Sequence, residues 1–173
     1  MKSKELAYVA MFATLTAIGA FITIPLPMVP LTLQTFFVML SGLMLGARLG
    51  ALSQLFYLGM GAIGLPVFAS GTSGLGVIAG PTGGFLIGFV VGSYLIGLAT
   101  EGSTNPKRDG IAIAAGTAVI YVCGMAQLMN FTGMSIVAAA EVAILPFLPG
   151  DALKAILAIS VNQKVRRANV LHI

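Results

Sequence analysis

Charge is what this sequence has least of. Its 173 residues include nine Lys or Arg and five Asp or Glu, 8% together, where a soluble domain carries about a quarter. So few charges cannot cover a water-soluble surface, and a soluble globular protein is excluded. The single cysteine, Cys123, lies in an apolar run, so neither a disulfide framework nor a thiolate metal cluster is available. The single histidine, His172, falls in the C-terminal tail, where a solvated side chain is its expected role. A phosphate-binding loop of the form G-x-x-x-x-G-K-S/T is missing, and so are H-E-x-x-H and paired carboxylates. Nucleotide hydrolysis and metal-assisted chemistry have no constellation to act through, so no enzyme, cofactor or metal site is expected.

What the sequence does have is apolar length. Hydrophobic residues make up 58% and the mean hydropathy is +1.02, values that mark an integral membrane protein. The pattern predicts an all-α fold of six transmembrane helices in one bundle, with residues 1–173 forming a single membrane domain. The spans cover about 5–24, 32–46, 50–64, 84–99, 110–130 and 150–163. The second and third are short and meet at Gly46-Ala47-Arg48-Leu49-Gly50. The apolar run after Lys2 and Lys4 is too long for the core of a signal peptide and reads as the first span. Pro25, Pro27 and Pro30 cannot continue a helix, so 24–30 is an extended loop. Residues 66–84 are apolar but rich in glycine, which favours turns over regular helix. Such a stretch either dips into a ligand site or lies as an external loop. In 131–150, Glu141, Pro146 and Pro149 argue for a partly buried or interfacial helix rather than a span.

Charge placement orients the bundle. With the N-terminus inside, Lys2, Lys4, Arg48, Lys107, Arg108, Lys164, Arg166 and Arg167 all fall on the cytoplasmic side. Lys154 is the one basic residue that does not. The basic residues lie in loops and tails between apolar runs, so orientation accounts for them and nucleic acid does not. A seventh span through Glu141 would put the basic tail outside and is rejected. In this orientation both termini are cytoplasmic. The Pro-rich loop, the Gly-rich stretch and residues 131–150 then form long outer loops that converge on the start of the last helix and cover a ligand pocket.

That last helix begins Pro149-Gly150-Asp151-Ala152-Leu153-Lys154. Asp151 and Lys154 sit about one turn apart on one face, between apolar residues on either side. Ionisable groups are costly in a membrane segment and mark functional sites there. One reading is an internal ion pair. The other is a ligand clamp, in which Lys154 offers three donors and a charge to a carboxylate while Asp151 accepts from N–H groups. Small residues also recur at helical spacing: Ala13 and Ala17; Gly42, Gly46 and Gly50; Gly84, Gly88 and Gly92; Ala112 and Gly116. Such faces let membrane helices approach closely, within the bundle or against another membrane protein.

The sequence resembles the biotin-specific substrate-binding (S) component of energy-coupling-factor transporters, the BioY family. The residues that carry the resemblance are Ile24-Pro25-Leu26-Pro27-Met28-Val29-Pro30-Leu31-Thr32-Leu33-Gln34-Thr35, Gly46-Ala47-Arg48-Leu49-Gly50-Ala51, Gly64-Leu65-Pro66-Val67-Phe68-Ala69, Gly80-Pro81-Thr82-Gly83-Gly84-Phe85-Leu86-Ile87-Gly88 and Pro149-Gly150-Asp151-Ala152-Leu153-Lys154. These blocks run in order from the first loop to the last helix. The resemblance implies a six-helix bundle in a prokaryotic plasma membrane that captures biotin from outside. Transport would then depend on a membrane coupling protein and cytoplasmic ATPases. It also implies that Asp151 and Lys154 contact the ligand, with Gln34, Ser70, Thr72 and Ser73 as further polar candidates. Chemically, Lys154 suits the valerate carboxylate and Asp151 a ureido N–H. Ala13 and Ala17 match the face by which such components meet the coupling protein. The alternatives are capture of another small vitamin, or a structural or regulatory subunit whose Asp151–Lys154 pair is internal.

Overall fold

The computed structural model describes residues 2–168; His172 lies outside the described residues. The helices are α1 Ser3–Phe21, α2 Gln34–Ala62, α3 Leu75–Ala79, α4 Gly83–Thr100, α5 Pro106–Thr132, α6 Ile136–Ala143 and α7 Leu148–Arg167. A two-stranded antiparallel ribbon, β1 Thr23–Ile24 against β2 Leu31–Thr32, joins α1 to α2. The prolines of the expected extended loop lie between the strands, where no ladder N–H is needed. α1 therefore stops at Phe21 instead of continuing to residue 24.

α2 is two antiparallel legs, not one rod. Gly46 has φ 75° and ψ −176°, far outside the helical region, a conformation that glycine adopts without a Cβ penalty. In a straight helix Gln34 and Tyr57 would stand about 35 Å apart, yet the Gln34 amide donates to the Tyr57 hydroxyl at 2.5 Å. A Cβ on Gly50 would lie 3.0 Å from the carbonyl oxygen of Ser41, so the legs touch near the turn. The legs, 34–45 and 47–62, correspond to the expected second and third spans. With α1, α4, α5 and α7 they make the six-helix bundle of a multi-pass membrane protein. With α2 taken as one helix and short α3 and α6 added, the α-helices among the described residues number seven. α6, at eight residues, is too short to cross a bilayer, and it meets α7 at a bend of 53°.

Small residues bring these helices together. A Cβ on Gly84, Gly88 or Gly92 would come within 2.2–2.9 Å of α5 atoms, so this face of α4 is spent on α5. Ala13 and Ala17 are buried within the chain, 1% and 7% exposed, in the core cluster that includes Val38 and Tyr57. The α1 face expected to dock a partner is thus turned inward, and Ala10, Met11, Thr14 and Ile18 form the outward one. A buried polar knot also ties α1 to both legs of α2: Gln54 donates to Thr16 at 3.2 Å and Ser41 at 3.1 Å.

The end of the bundle at the α2 turn holds a buried acid the sequence reading did not anticipate. Residues 106–109, which precede the expected span 110–130, form the first turn of α5, with Asn105 capping Lys107 N–H at 3.0 Å and Pro106 in the first turn. Asp109 is thereby carried into the bundle, where Asn162 of α7 donates to it at 3.1 Å and Arg166 lies 3.6 Å away. Arg166 also donates to the carbonyls of Ser103 at 2.6 Å and Leu43 at 3.4 Å. One guanidinium therefore clasps α2, the α4–α5 linker, α5 and α7.

Candidate functional site

At the opposite end the three long connections border one cavity of about 710 Å3, mouth included. The β-ribbon loop supplies Val29 and Pro30, the Gly-rich stretch supplies Phe68, Ala69, Thr72, Val77 and Thr82, and Phe147 stands just before α7. The helices contribute Gln34, Phe85, Leu86, Phe89 and Tyr121, with Thr32 at the end of β2. The wall is aromatic and aliphatic with a few amide and hydroxyl groups, and among the described residues no charged side chain lines it. This is the usual composition of a small-molecule pocket.

Phe68 shows how the Gly-rich stretch is seated. Its ring stacks edge-on against Tyr57 at 5.6 Å between centroids. A Cβ on Gly61 would fall 2.0 Å from the ring, so only glycine there lets the phenyl group in. Tyr57 donates to the carbonyl of Val67 at 3.1 Å and accepts from Gln34 at 2.5 Å. Gln34 in turn accepts from the Thr32 hydroxyl at 2.9 Å. The loop, the ribbon and both legs of α2 are joined at the pocket wall by this chain of hydrogen bonds. Gln127 of α5 holds the stretch from the other side, donating to the carbonyls of Ile78 and Gly80 at 2.8 and 2.6 Å.

Behind the wall lies the Asp151–Lys154 pair, both residues buried and 2.8 Å apart. The Lys154 ammonium donates to Asp151 Oδ1, to the Thr32 carbonyl at 2.7 Å and to Thr35 Oγ1 at 2.9 Å. Its three donors are all in use. Asp151 Oδ1 also accepts from Thr35 at 2.9 Å, and Oδ2 accepts from the Tyr121 hydroxyl at 2.5 Å. Burying two charges is costly unless each is paired and hydrogen-bonded, and here both are. Asp151 also sits in the first turn of α7, where the helix dipole favours a negative charge.

The sequence-derived candidates divide. Gln34 and Thr72 line the cavity; Asp151 and Lys154 lie one hydrogen bond behind it, through Tyr121 and Thr32. Ser70 is exposed, in a left-handed conformation with φ 59°, and Ser73 is half-buried; neither is in the cavity wall. Tyr121, Thr35 and the phenylalanines of the wall were not among the site candidates named from sequence. A lone tyrosine in the apolar run of α5 was the available signal, because a buried hydroxyl in a span needs a partner.

The fold and site define a multi-pass helical membrane protein with an uncharged pocket set against a buried ion pair. The BioY family profile matches residues 1–170. The chain is 40% identical over 166 residues to the probable biotin transporter BioY of Pyrococcus horikoshii, covering 96% of this chain and 98% of that one. It is 38% identical over 167 residues to the biotin transporter BioY of Thermotoga maritima, with coverage of 96% and 98%. Among solved structures it is similar to the S-component for biotin from an ECF-type ABC transporter. That match has a TM-score of 0.89 and 28% identity, over 96% of this chain and 95% of that one. The chain belongs to the BioY family.

Proposed function

We propose that this protein captures biotin from outside the cell and hands it to an energy-coupling-factor transporter, whose coupling protein and ATPases supply the energy. The observation that carries this reading is the pairing of an uncharged, aromatic-rich cavity with the ionic network of Asp151, Lys154, Thr35 and Tyr121 at its wall. Biotin has the complementary parts: an apolar bicycle and chain, a urea bearing N–H groups, and a carboxylate. Lys154 supplies the positive charge for the carboxylate, Asp151 the negative charge for the urea end, and Gln34 and Thr72 the polar contacts in the wall. Relatives named as biotin transporters, alike over nearly the whole chain, support the choice of ligand.

Residues 1–173 form one membrane domain in a prokaryotic plasma membrane, with both termini in the cytoplasm. The basic residues near the α2 turn and the tail support that orientation, which turns the cavity outward. The missing phosphate-binding loop fits a chain that leaves ATP hydrolysis to its partners. Docking to the coupling protein uses the outward face of α1, at Ala10, Met11, Thr14 and Ile18.

A second reading has its own support, since Lys154 and Asp151 already satisfy each other without a ligand. In that reading the pair is purely internal and the protein is a structural subunit. Calorimetry of the purified protein against a panel of vitamins separates the two. Tight, saturable binding of biotin, with its neutral amide bound much more weakly, is the expected result. Binding of a different vitamin, or of none, would replace the proposal.

A further inference from the structure

Two residues connect the cavity to the buried pair: Thr32, by its carbonyl to Lys154, and Tyr121, by its hydroxyl to Asp151. The direction of the second bond is fixed by chemistry. An ionised carboxylate only accepts, so the phenol donates its one proton inward to Asp151 Oδ2. The phenolic oxygen has no other proton to give, and towards the cavity it can act only as an acceptor. The short O–H···O contact of 2.5 Å is charge-assisted and draws the proton towards the carboxylate, leaving the phenolic oxygen more negative than in a free tyrosine. Much of the wall around it is phenyl and alkyl, with Phe85, Leu86, Phe89 and Phe147 among its members. A ligand N–H that enters such surroundings without an acceptor loses its bond to water with no replacement.

We propose that Tyr121 is a specificity-determining residue: its oxygen, with the proton committed to Asp151, accepts an N–H from the ligand and turns away groups that present only lone pairs. Asp151 then acts on that end of the ligand through the phenol as well as through its charge. This rests on the cavity being the biotin pocket, where the donor is a ureido N–H.

Tyr121→Phe keeps the ring and removes the oxygen. Titration of the purified full-length protein should show biotin affinity falling about tenfold or more, the loss expected for a bond to a charge-polarised group. An analogue methylated on the ureido nitrogens should bind the wild-type protein weakly, and its deficit against biotin should shrink in Tyr121→Phe. Unchanged or tighter biotin binding by Tyr121→Phe, or an unchanged deficit, overturns the assignment. If Tyr121→Phe does not fold, fluorotyrosine placed at position 121 alone gives a second measurement. Its fluorine resonance should move on adding biotin and move less with the methylated analogue; no shift with biotin overturns the assignment. A wild-type protein that does not bind biotin at all would instead remove the pocket reading itself, and this inference with it.

Discussion

Lys154 and Asp151 have opposite consequences for stability and for binding. Removing one alone leaves the other charge buried without its counter-ion, a loss on the order of 3–5 kcal/mol. Asp151→Ala should therefore lower the melting temperature of the purified protein sharply. Replacing both, as Asp151→Asn with Lys154→Met, removes the unpaired charge and should restore most of that stability. Biotin affinity should stay lost in the double variant, because the ligand carboxylate then meets no positive charge. A double variant that melts and binds like the wild type would show the pair to be scaffolding. The residue scale is also where the sequence was least legible. Tyr121 carries a polar tip inside an apolar span, a signal that its hydroxyl needs a partner but not which residue supplies one. Asp109 lies in a polar stretch just before the expected span 110–130, and only the helix start at Pro106 turns it inward.

The elements were legible to different degrees, for physical reasons. Long apolar runs predicted α1, α4 and α5 because a bilayer imposes length on a helix, whereas α7 is apolar enough to span only when taken together with α6. The turn inside α2 followed from Gly46 standing just before Arg48 between two short apolar runs. The β-ribbon did not follow, since two-residue strands between prolines carry no alternation. The Gly-rich stretch was expected to be irregular, and its seat on Gly61 required the fold. That seat is testable. Gly61→Ala places a methyl group where the Phe68 ring lies and should push the ring out of the cavity wall. The expected effect is weaker biotin binding at nearly unchanged helix content by circular dichroism. Unchanged affinity would mean that Phe68 has no part in shaping the pocket.

For the molecule as a whole, the two faces of α1 differ in burial, and the proposed docking can be tested on that difference. Ala13→Trp inserts an indole into a packed interface and should destabilise the protein and weaken binding together, as overpacking does. Thr14→Trp, one residue on, falls on the outward face. It should leave biotin binding by the purified protein intact and reduce uptake in cells that supply the transporter's other subunits. Equal loss of binding in both variants would remove α1 as a docking element. The two ends of the bundle differ in a similar way. Arg166 ties four segments together near the α2 turn, while at the other end three connections meet around an open volume.

The fully engaged ammonium of Lys154 has one more consequence. A carboxylate arriving at that nitrogen finds no vacant N–H, so it must displace an acceptor already in place. Thr35 is the weakest of the three incumbents, a neutral hydroxyl beside a carboxylate and a backbone carbonyl. In the proposed binding mode, recognition at this point is a substitution, and its free energy is the difference between two bonds rather than the strength of one. Water and neutral alcohols, which match Thr35 but do not exceed it, gain nothing by the swap. An anion does gain, so in that mode this point selects for charge as well as for shape.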